Sequence, residues 1–412
     1  MEAIRRWKEW LWPPRSRWVV YLGVSVLLLV PCFWQPRLQG GDLANHISNS
    51  WLTGLIESGR TEGLTRAHPW SNILFEFMLG ELSRVAGTEA ATRIAVSSAV
   101  LTFVWGAFAF VSVVSKRFPW HLMPSLAILA YGWVFHMGFF NFYLSLGLCF
   151  WGLALTWDRQ PRHVAMAVPL FALASVAHAL PVVWTAGLIG YLFLVRRLTP
   201  FQRAMVTAGL MAVLVFVRAF ADRLIAVQSA SRAIADTAIA DQNWVFDSKY
   251  YVVLVGLLAV WALMFLRLLK VSGPREVVSS LPFQLCLAGA ACVFILPGTV
   301  LIPGFYSALC YIAERMSVGV AVCLCALLGS VRPRRLERFA MAVVTLLFFG
   351  FVYYDERAQN SLQDRMQDLA SISAPAVRTA RPASGTGRAI TGGDTAVRAK
   401  ARPNVETFAG KS

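Results

Sequence analysis

Long apolar runs alternate with short polar segments along most of this chain. The runs that we predict to be membrane-spanning helices are 18–34, 90–115, 122–137, 140–157, 164–177, 181–195, 203–220, 250–270, 279–296, 312–330 and 339–354. A helix needs about 20 residues to cross a bilayer, and several of these runs have nearer 16, so their ends are approximate. The pattern predicts an all-α, polytopic membrane protein with about 11 spans.

The apolar run over residues 71–87 differs from the others because it contains Glu76, Glu81 and Arg84. Each charge near the centre of a membrane helix costs about 2.5–3.5 kcal/mol on insertion. We therefore predict that this run does not cross. It is expected to lie at the outer surface, or to enter the membrane and return to the same side.

Basic residues cluster in short segments between the apolar runs, such as 116–117, 196–197 and 332–338. Short loops rich in Lys and Arg face the cytoplasm. This rule makes residues 1–17 a basic cytoplasmic segment and residues 18–354 the transmembrane domain. Residues 35–89 and 218–249 become outer loops. Residues 355–412 are predicted to be a mostly disordered tail, because their C-terminal part is rich in Ala, Pro, Gly and Ser.

The composition agrees with a membrane protein and excludes a nucleic-acid-binding one. Hydrophobic residues make up 57% of the chain and charged residues 15%, whereas soluble domains carry about 25% charged residues. The net charge of +16 would suit nucleic acid, but the clustering of the basic residues is typical of cytoplasmic loops.

The segment after the first predicted span, beginning Gly40-Gly41-Asp42, opens an amphipathic helical pattern. An apolar stripe of this helix consists of Leu43, Ile47, Trp51 and Leu55. The polar positions that share the opposite face are Asp42, His46 and Asn49. The pattern predicts a helix on the membrane surface, with a carboxylate and an imidazole on its wet side.

Asp42 has two interpretations at this stage. As an N-cap it would accept backbone N–H groups and complement the positive end of the helix dipole. As a catalytic carboxylate it would act as a base, since desolvation at the membrane boundary can raise the pKa of an acid. Local spacing alone favours the cap.

The predicted topology gathers most ionisable residues at the outer ends of the helices. The residues concerned are His46, His68, His136, Asn141, His178, Glu314 and Arg315, together with the long outer loop. Outer loops are wet and collect polar residues, which accounts for the long loop. It accounts less well for His136, His178 and the Glu314-Arg315 pair, because polar groups at membrane helix ends tend to mark function.

The first outer loop resembles that of the GT-C superfamily, the polytopic glycosyltransferases that use lipid-linked sugar donors. The features that match are Gly41-Asp42 after a first span, His46 four residues on, a surface helix ending near Gly59, and His68-Pro69 before a second apolar helix. Looser matches are residues 138–142, His178 and Glu314-Arg315. The resemblance is greatest to the uncharacterised bacterial members.

The resemblance implies transfer of a hexosyl or pentosyl group from a polyprenyl-phosphate-linked donor, at the extracytoplasmic face of a bacterial cytoplasmic membrane. It makes Asp42 the general base, with His46 as the second catalytic candidate. The substrate-binding candidates are His68, Asn141, His178, Arg218, Glu314 and Arg315, with the arginines contacting phosphate. Membrane lipid is the other expected partner. No cofactor is firmly implied, and a divalent metal is left open, with Asp42 as its only candidate ligand because Leu43 stands beside it.

Two other classes of function stay open. A transporter or flippase for a lipid-linked or polar substrate would place polar residues near the midplane in broken helices. A non-catalytic membrane protein could retain the same scaffold, because a fold does not fix a function. The concentration of polar residues at the outer edge favours the enzyme.

Overall fold

The computed structural model describes residues 15–61, 63–65, 70–224, 245–295 and 311–379. Over these residues the chain is all-α, with short 3-10 turns and no strand. The chain divides into two compact units, residues 1–362 and 363–412. The described part of the second unit is the end of the last helix.

The helices of the N-terminal half are α1 (Arg15–Leu29), α2 (Leu43–Glu57), α3 (Leu74–Ala86), α4 (Thr88–Ser115), α5 (Met123–Ala130), α6 (Trp133–His136), α7 (Phe140–Thr156), α8 (Pro161–Ala177) and α9 (Ala179–Val195). Those that follow are α10 (Pro200–Leu224), α11 (Tyr251–Ser272), α12 (Pro274–Ser279), α13 (Leu281–Ile295), α14 (Ile312–Leu328) and α15 (Arg335–Thr379). Helices therefore lie where the apolar runs predict them.

Four helices in the described part of the chain are long and apolar enough to cross a membrane: Thr88–Ser115, Pro200–Phe220, Ser248–Ser272 and Arg335–Ser371. Shorter apolar helices cover Trp18–Cys32, Phe140–Thr156, Pro161–Ala177, Ala179–Val195 and Leu281–Val293. Only 11% of the Pro200–Phe220 window is buried inside the protein. Such an exposed apolar helix is expected of a chain whose surroundings are lipid.

The core is organised by a close crossing of α4 and α7. A Cβ atom at Gly106 would lie 2.3 Å from the carbonyl oxygen of Gly147, and one at Gly147 would lie 2.7 Å from the amide nitrogen of Phe103. Glycine at both positions lets the two backbones touch, as small residues do between membrane helices. The crossing fixes the start of α7, which carries Asn141.

Residues 122–137, predicted to form one span, are two helices with a break at Tyr131 and Gly132. The Tyr143 hydroxyl lies 2.9 Å from the carbonyl oxygen of Leu129 and 3.1 Å from that of Ala130. A hydroxyl from α7 therefore replaces backbone donors that a continuous helix would have supplied. This is the physical reason why the prediction of a single helix is wrong.

The charged run over 71–87 contains α3, which is 13 residues long. At 1.5 Å per residue it measures about 20 Å, less than the roughly 30 Å of a hydrocarbon core. Its exposed side pairs with α2, because Arg84 contacts Glu57 of α2 at 3.0 Å; Arg84 also contacts Glu81 of its own helix at 2.7 Å. These properties agree with a helix that does not cross.

The last helix, α15, continues past Tyr354 as far as Thr379. The boundary predicted at residue 355 therefore lies inside a helix and not at its end. Residues 380–412 of the predicted tail lie outside the described residues.

Candidate functional site

The loop before α2 lies directly on the turn between α6 and α7. The amide of Gly41 donates to the carbonyl of His136 at 2.8 Å, and the amide of Asp42 donates to that of Met137 at 2.9 Å. Gly138 has φ +79°, and a Cβ atom there would lie 2.7 Å from the Asp42 nitrogen. The approach of Asp42 to this turn therefore requires glycine at position 138.

Asp42 occupies the N-cap position of α2, but its side chain makes no cap hydrogen bond. Its backbone is already helical, with φ −88° and ψ −4°, whereas an N-cap normally has extended backbone dihedrals. The half-buried carboxylate instead accepts a hydrogen bond from the Asn45 amide at 3.0 Å. The interpretation of Asp42 as a helix cap is therefore wrong.

His46 does not lie on the wet face of α2, contrary to the prediction. Its side chain is buried against the rings of Phe75 and Phe140, with centroid distances of 5.2 and 6.4 Å, and these two rings stack on each other. Nδ1 lies 2.6 Å from Oε1 of Glu76, and Nε2 lies 3.0 Å from the carbonyl oxygen of Gly138. Both partners are acceptors, so a ring protonated on both nitrogens satisfies both contacts.

A partly buried polar chain continues from His46 through Glu76 to Asn141. The Asn141 amide donates to Oε2 of Glu76 at 2.7 Å and accepts from the Phe75 amide at 2.8 Å. Burial alone lowers the pKa of His46, but the hydrogen bond and charge of Glu76 outweigh it and raise that pKa. Burial alone raises the pKa of Glu76, but its bonds to His46 and Asn141 lower it. The two shifts agree on a charged pair.

A second histidine–carboxylate pair lies on the other side of the same turn. His136 Nε2 is 3.2 Å from Oε1 of Glu356, and Nδ1 is 3.2 Å from the carbonyl oxygen of Gly132. The Trp34 indole N–H donates to the other oxygen of Glu356, whose side chain is 1% exposed. The pair therefore ties α15 to the turn and to the loop after α1.

Arg315 reaches the same turn from α14. Its guanidinium carbon lies 3.6 Å from the centroid of the Phe139 ring, a cation–π contact. Phe139 also contacts Trp133 and Tyr311, with centroid distances of 5.8 and 6.3 Å. The backbone of Asp42 therefore lies against Gly138, and the guanidinium of Arg315 lies on the ring of Phe139, the next residue.

His178 lies between α8 and α9 and serves as an N-cap. Its Nδ1 accepts a hydrogen bond from the Leu180 amide at 3.2 Å, and its carbonyl accepts one from the Ser145 hydroxyl at 2.7 Å. Burial, and then the positive charge of Arg315, lower the pKa of His178 to about 4. The ring is neutral near pH 7; it caps α9 and contacts the Phe142 ring, with a centroid distance of 5.7 Å.

The structure thus brings Asp42, His46, Asn141 and Arg315 together around one turn. The positive charge of Arg315 also lowers the pKa of His178. Glu314 precedes Arg315 in the first turn of α14. Arg218 donates to the carbonyl of Ile295 at the end of α13, at 3.1 Å. His68 lies outside the described residues.

Two functional candidates were missed by sequence reasoning. Glu76 was treated only as one of the charges that argue against membrane crossing. An acid inside an apolar helix is also a signal that it has a partner within the protein. Glu356 fell within the predicted tail. Its partner His136 is 220 residues away in the chain, and no local pattern connects them.

The described residues around Asp42 do not form a divalent-cation site. Within the described ranges there is no group of three or more His, Cys, Asp or Glu side chains that could hold a metal ion. Hard cations need about six oxygen ligands. Asp42 offers one carboxylate, and that of Glu76 is already bonded to His46 and Asn141.

Comparison of the chain with protein-family models, with curated proteins and with solved structures finds no match. What the site can do follows from its own residues. It combines a carboxylate, a stacked guanidinium, a buried imidazole–carboxylate pair and a partly buried one around one turn.

Proposed function

We propose that the protein is a membrane glycosyltransferase of the GT-C type, with Asp42 as its general base. It moves a sugar from a polyprenyl-phosphate-linked donor to an acceptor hydroxyl at the extracytoplasmic face. One observation carries the proposal. Asp42, whose carboxylate does not cap its helix, is held by its backbone N–H on the turn between α6 and α7, and the Arg315 guanidinium lies on the Phe139 ring of the same turn.

The two groups have complementary tasks in such a transfer. The carboxylate takes the proton of the acceptor hydroxyl as that oxygen attacks the anomeric carbon, and general base catalysis contributes about 10²–10⁴-fold. The guanidinium binds the polyprenyl phosphate that departs with the electrons of the broken bond. His46 transfers no proton in this scheme, because both of its nitrogens are engaged.

The architecture proposed for the enzyme has about 11 spans, with the basic clusters in the cytoplasm and Asp42 outside. The four long apolar helices and the shorter ones support a polytopic chain. The helix α3 supports an outer first loop, because it is only 13 residues long and carries Glu76, Glu81 and Arg84. An open groove of about 1180 Å³ lies between α2 and α3, lined among others by Ile47, Trp51, Phe77 and Glu76.

The transporter alternative gains one observation, the broken helix at Tyr131 and Gly132. Broken helices in transporters release backbone groups that bind the substrate. Here the carbonyls of Leu129 and Ala130 already accept hydrogen bonds from Tyr143. Those groups are satisfied within the protein, which favours the enzyme.

The test compares Asp42→Asn with the wild type in membranes supplied with a panel of polyprenyl-phosphate-linked sugars. Because the carboxylate makes no cap bond, the amide should leave folding unchanged while transfer falls by about 10²–10⁴-fold. Glu57→Gln, an exposed acid on the same helix, is the matched control and should keep its activity. Full activity in Asp42→Asn would remove Asp42 from the mechanism. A wild type inactive on every donor would favour the non-catalytic or transport alternatives.

A further inference from the structure

We infer that Glu76 is a positioning residue: through His46 it holds the Gly138 turn on which Asp42 lies. The consequence for catalysis rests on the proposed function, but the positioning of the loop does not. Neither Glu76 nor its bond to His46 could be assigned from the sequence.

The chain of contacts from Glu76 to Asp42 is continuous. Glu76 Oε1 lies 2.6 Å from Nδ1 of His46, whose Nε2 lies 3.0 Å from the carbonyl oxygen of Gly138. Met137, next to Gly138, accepts the Asp42 amide hydrogen at 2.9 Å. Three hydrogen bonds therefore connect a carboxylate on α3 with the backbone of Asp42.

With Glu76 ionised, as its lowered pKa favours, this chain requires His46 to be an imidazolium. A neutral ring has one N–H, so one of its nitrogens would set a lone pair against an oxygen acceptor. The charges that act on the ring are Glu76 from α3 and Asp42 from its own helix. The other elements around it present the rings of Phe75 and Phe140 and the Gly138 carbonyl. Both charges favour the protonated ring.

The orientation of Glu76 is fixed from its other side. Its Oε2 accepts from the Asn141 amide at 2.7 Å, while Asn141 itself accepts from the Phe75 amide at 2.8 Å. The Phe75 amide belongs to the first turn of α3, so Asn141 also satisfies a helix-end donor. The carboxylate therefore has a single bonded orientation, as a positioning group needs.

The His136–Glu356 pair repeats the arrangement at the opposite end of the turn. His136 bridges Glu356 and the Gly132 carbonyl, and its own carbonyl accepts the Gly41 amide hydrogen at 2.8 Å. Residues 132–138 are thus held at both ends by an imidazole between a carboxylate and a backbone carbonyl. The repeated geometry indicates that the turn is built to be rigid.

The experiment measures amide hydrogen exchange of peptides covering Gly41 and Asp42 in the detergent-solubilised full chain, from pH 5 to 9. In the wild type, protection should be lost as pH rises through the raised pKa of His46. In Glu76→Gln, exchange of these amides should increase about 10–100-fold, the effect of losing a hydrogen bond to a charged group. The loss of protection should also move to lower pH. A purely structural defect would not shift that midpoint.

Two further variants make the result unambiguous. Glu81→Gln changes an exposed acid of the same helix and should leave exchange at Gly41 and Asp42 unaltered.

The double variant Glu76→Gln/Asn141→Asp exchanges the amide and the carboxylate. The glutamine that it places on α3 can still accept from His46 and donate to the new carboxylate on α7, so the hydrogen bonds return while the charge moves one residue away. It should recover most of the protection, and it serves as the test if Glu76→Gln does not fold.

Wild-type exchange in a folded Glu76→Gln protein would overturn the inference. So would a double variant in which protection falls evenly over α2 to α4, because that would show a general packing role. Sugar transfer, assayed in parallel, should fall in Glu76→Gln and stay unchanged in Glu81→Gln. Altered exchange in a protein whose wild type transfers no sugar would refute the proposed function and leave the positioning role intact.

Discussion

At the scale of single residues, His46 and Glu76 make stability depend on pH in opposite directions. The pKa of His46 is raised from 6.5, so its contribution is complete below that value and is lost as pH rises through the folded-state pKa. The pKa of Glu76 is lowered from 4.5, so its contribution is present above that value and is lost as pH falls through the folded-state pKa. Stability should therefore be greatest between about pH 5 and 6.5 as far as this pair is concerned.

This prediction is checked by thermal unfolding of the solubilised protein at pH values from below the ordinary pKa of Glu76 to above the raised pKa of His46. His46→Gln can donate to Glu76 but does not titrate, so its stability should lose the decline on the alkaline side. An unchanged alkaline decline in His46→Gln would assign the dependence to another group.

The uncapped carboxylate of Asp42 leads to a second prediction at this scale. Asp42→Ala should cost clearly less than the roughly 1 kcal/mol that an N-cap is worth, because no cap bond is lost. Thr199→Ala provides the comparison. Thr199 and Gln202 form a reciprocal cap before α10, with distances of 3.4 and 2.9 Å. Denaturant or thermal unfolding of both variants measures the difference, and equal losses would mean that Asp42 caps α2 in solution.

The burial of His46 could not be predicted from the sequence, and the reason is physical. A periodic pattern assigns each residue to a face by its own polarity. A histidine with a carboxylate partner can be buried at low cost, and its partner, Glu76, is 30 residues away. The pattern thus located α2 correctly, but it predicted a solvent-exposed position for His46, which is buried.

At the scale of elements, the contact between the Asp42 loop and the α6–α7 turn depends on Gly138. Alanine there would place its Cβ atom 2.7 Å from the Asp42 nitrogen at a φ of +79°. We expect Gly138→Ala to destabilise the protein by at least about 1–3 kcal/mol, the usual cost of a strained non-glycine residue. It should also expose the Gly41 and Asp42 amides to exchange.

Gly54→Ala is the matched control for that prediction. Gly54 lies within α2, and nothing lies within 4 Å of a Cβ atom there. Alanine in a helix is favoured over glycine by about 0.5–1 kcal/mol, so this variant should be stabilised or unchanged. Thermal unfolding distinguishes the two glycines, and similar behaviour of both would contradict the close approach at Gly138.

The helices themselves were predictable because apolar length and periodicity are local properties. The break at Tyr131 and Gly132 was not, because the donor that replaces the lost backbone bonds is the hydroxyl of Tyr143 on the next long helix. The same limit applies to the extension of α15 beyond residue 354, where Glu356 and Asn360 contact His136 and Arg37. These features depend on contacts between distant segments.

At the scale of the whole molecule, the sequence predicts on which side of the membrane residues lie, but not which of them contact each other. Counting basic loops assigns His46, Asn141 and Arg315 to one side of the membrane, and the structure brings these residues around one turn. Arg218 has the same predicted side but contacts the end of α13. Sidedness restricts which residues can meet, and packing then selects among them.

The predicted sidedness is tested by single-cysteine labelling in intact cells, with the native cysteines replaced. Suitable exposed positions are Asn49 on α2, Thr88 at the start of α4, and Arg117 and Arg197 in the basic clusters. An impermeant reagent added outside should label positions 49 and 88, because the short, charged helix α3 between them is predicted not to cross. Positions 117 and 197 lie in basic clusters predicted to be cytoplasmic and should react only after permeabilisation. The helix α4 before position 117 has 28 residues, about 42 Å, and is long enough to cross. His46 is unsuitable as a labelling position, because its replacement breaks the bond to Glu76.

Labelling of positions 49 and 88 from opposite sides would mean that the 71–87 segment crosses. All later loops would then exchange sides, the basic clusters would face outwards, and the proposed extracytoplasmic site would have to be abandoned.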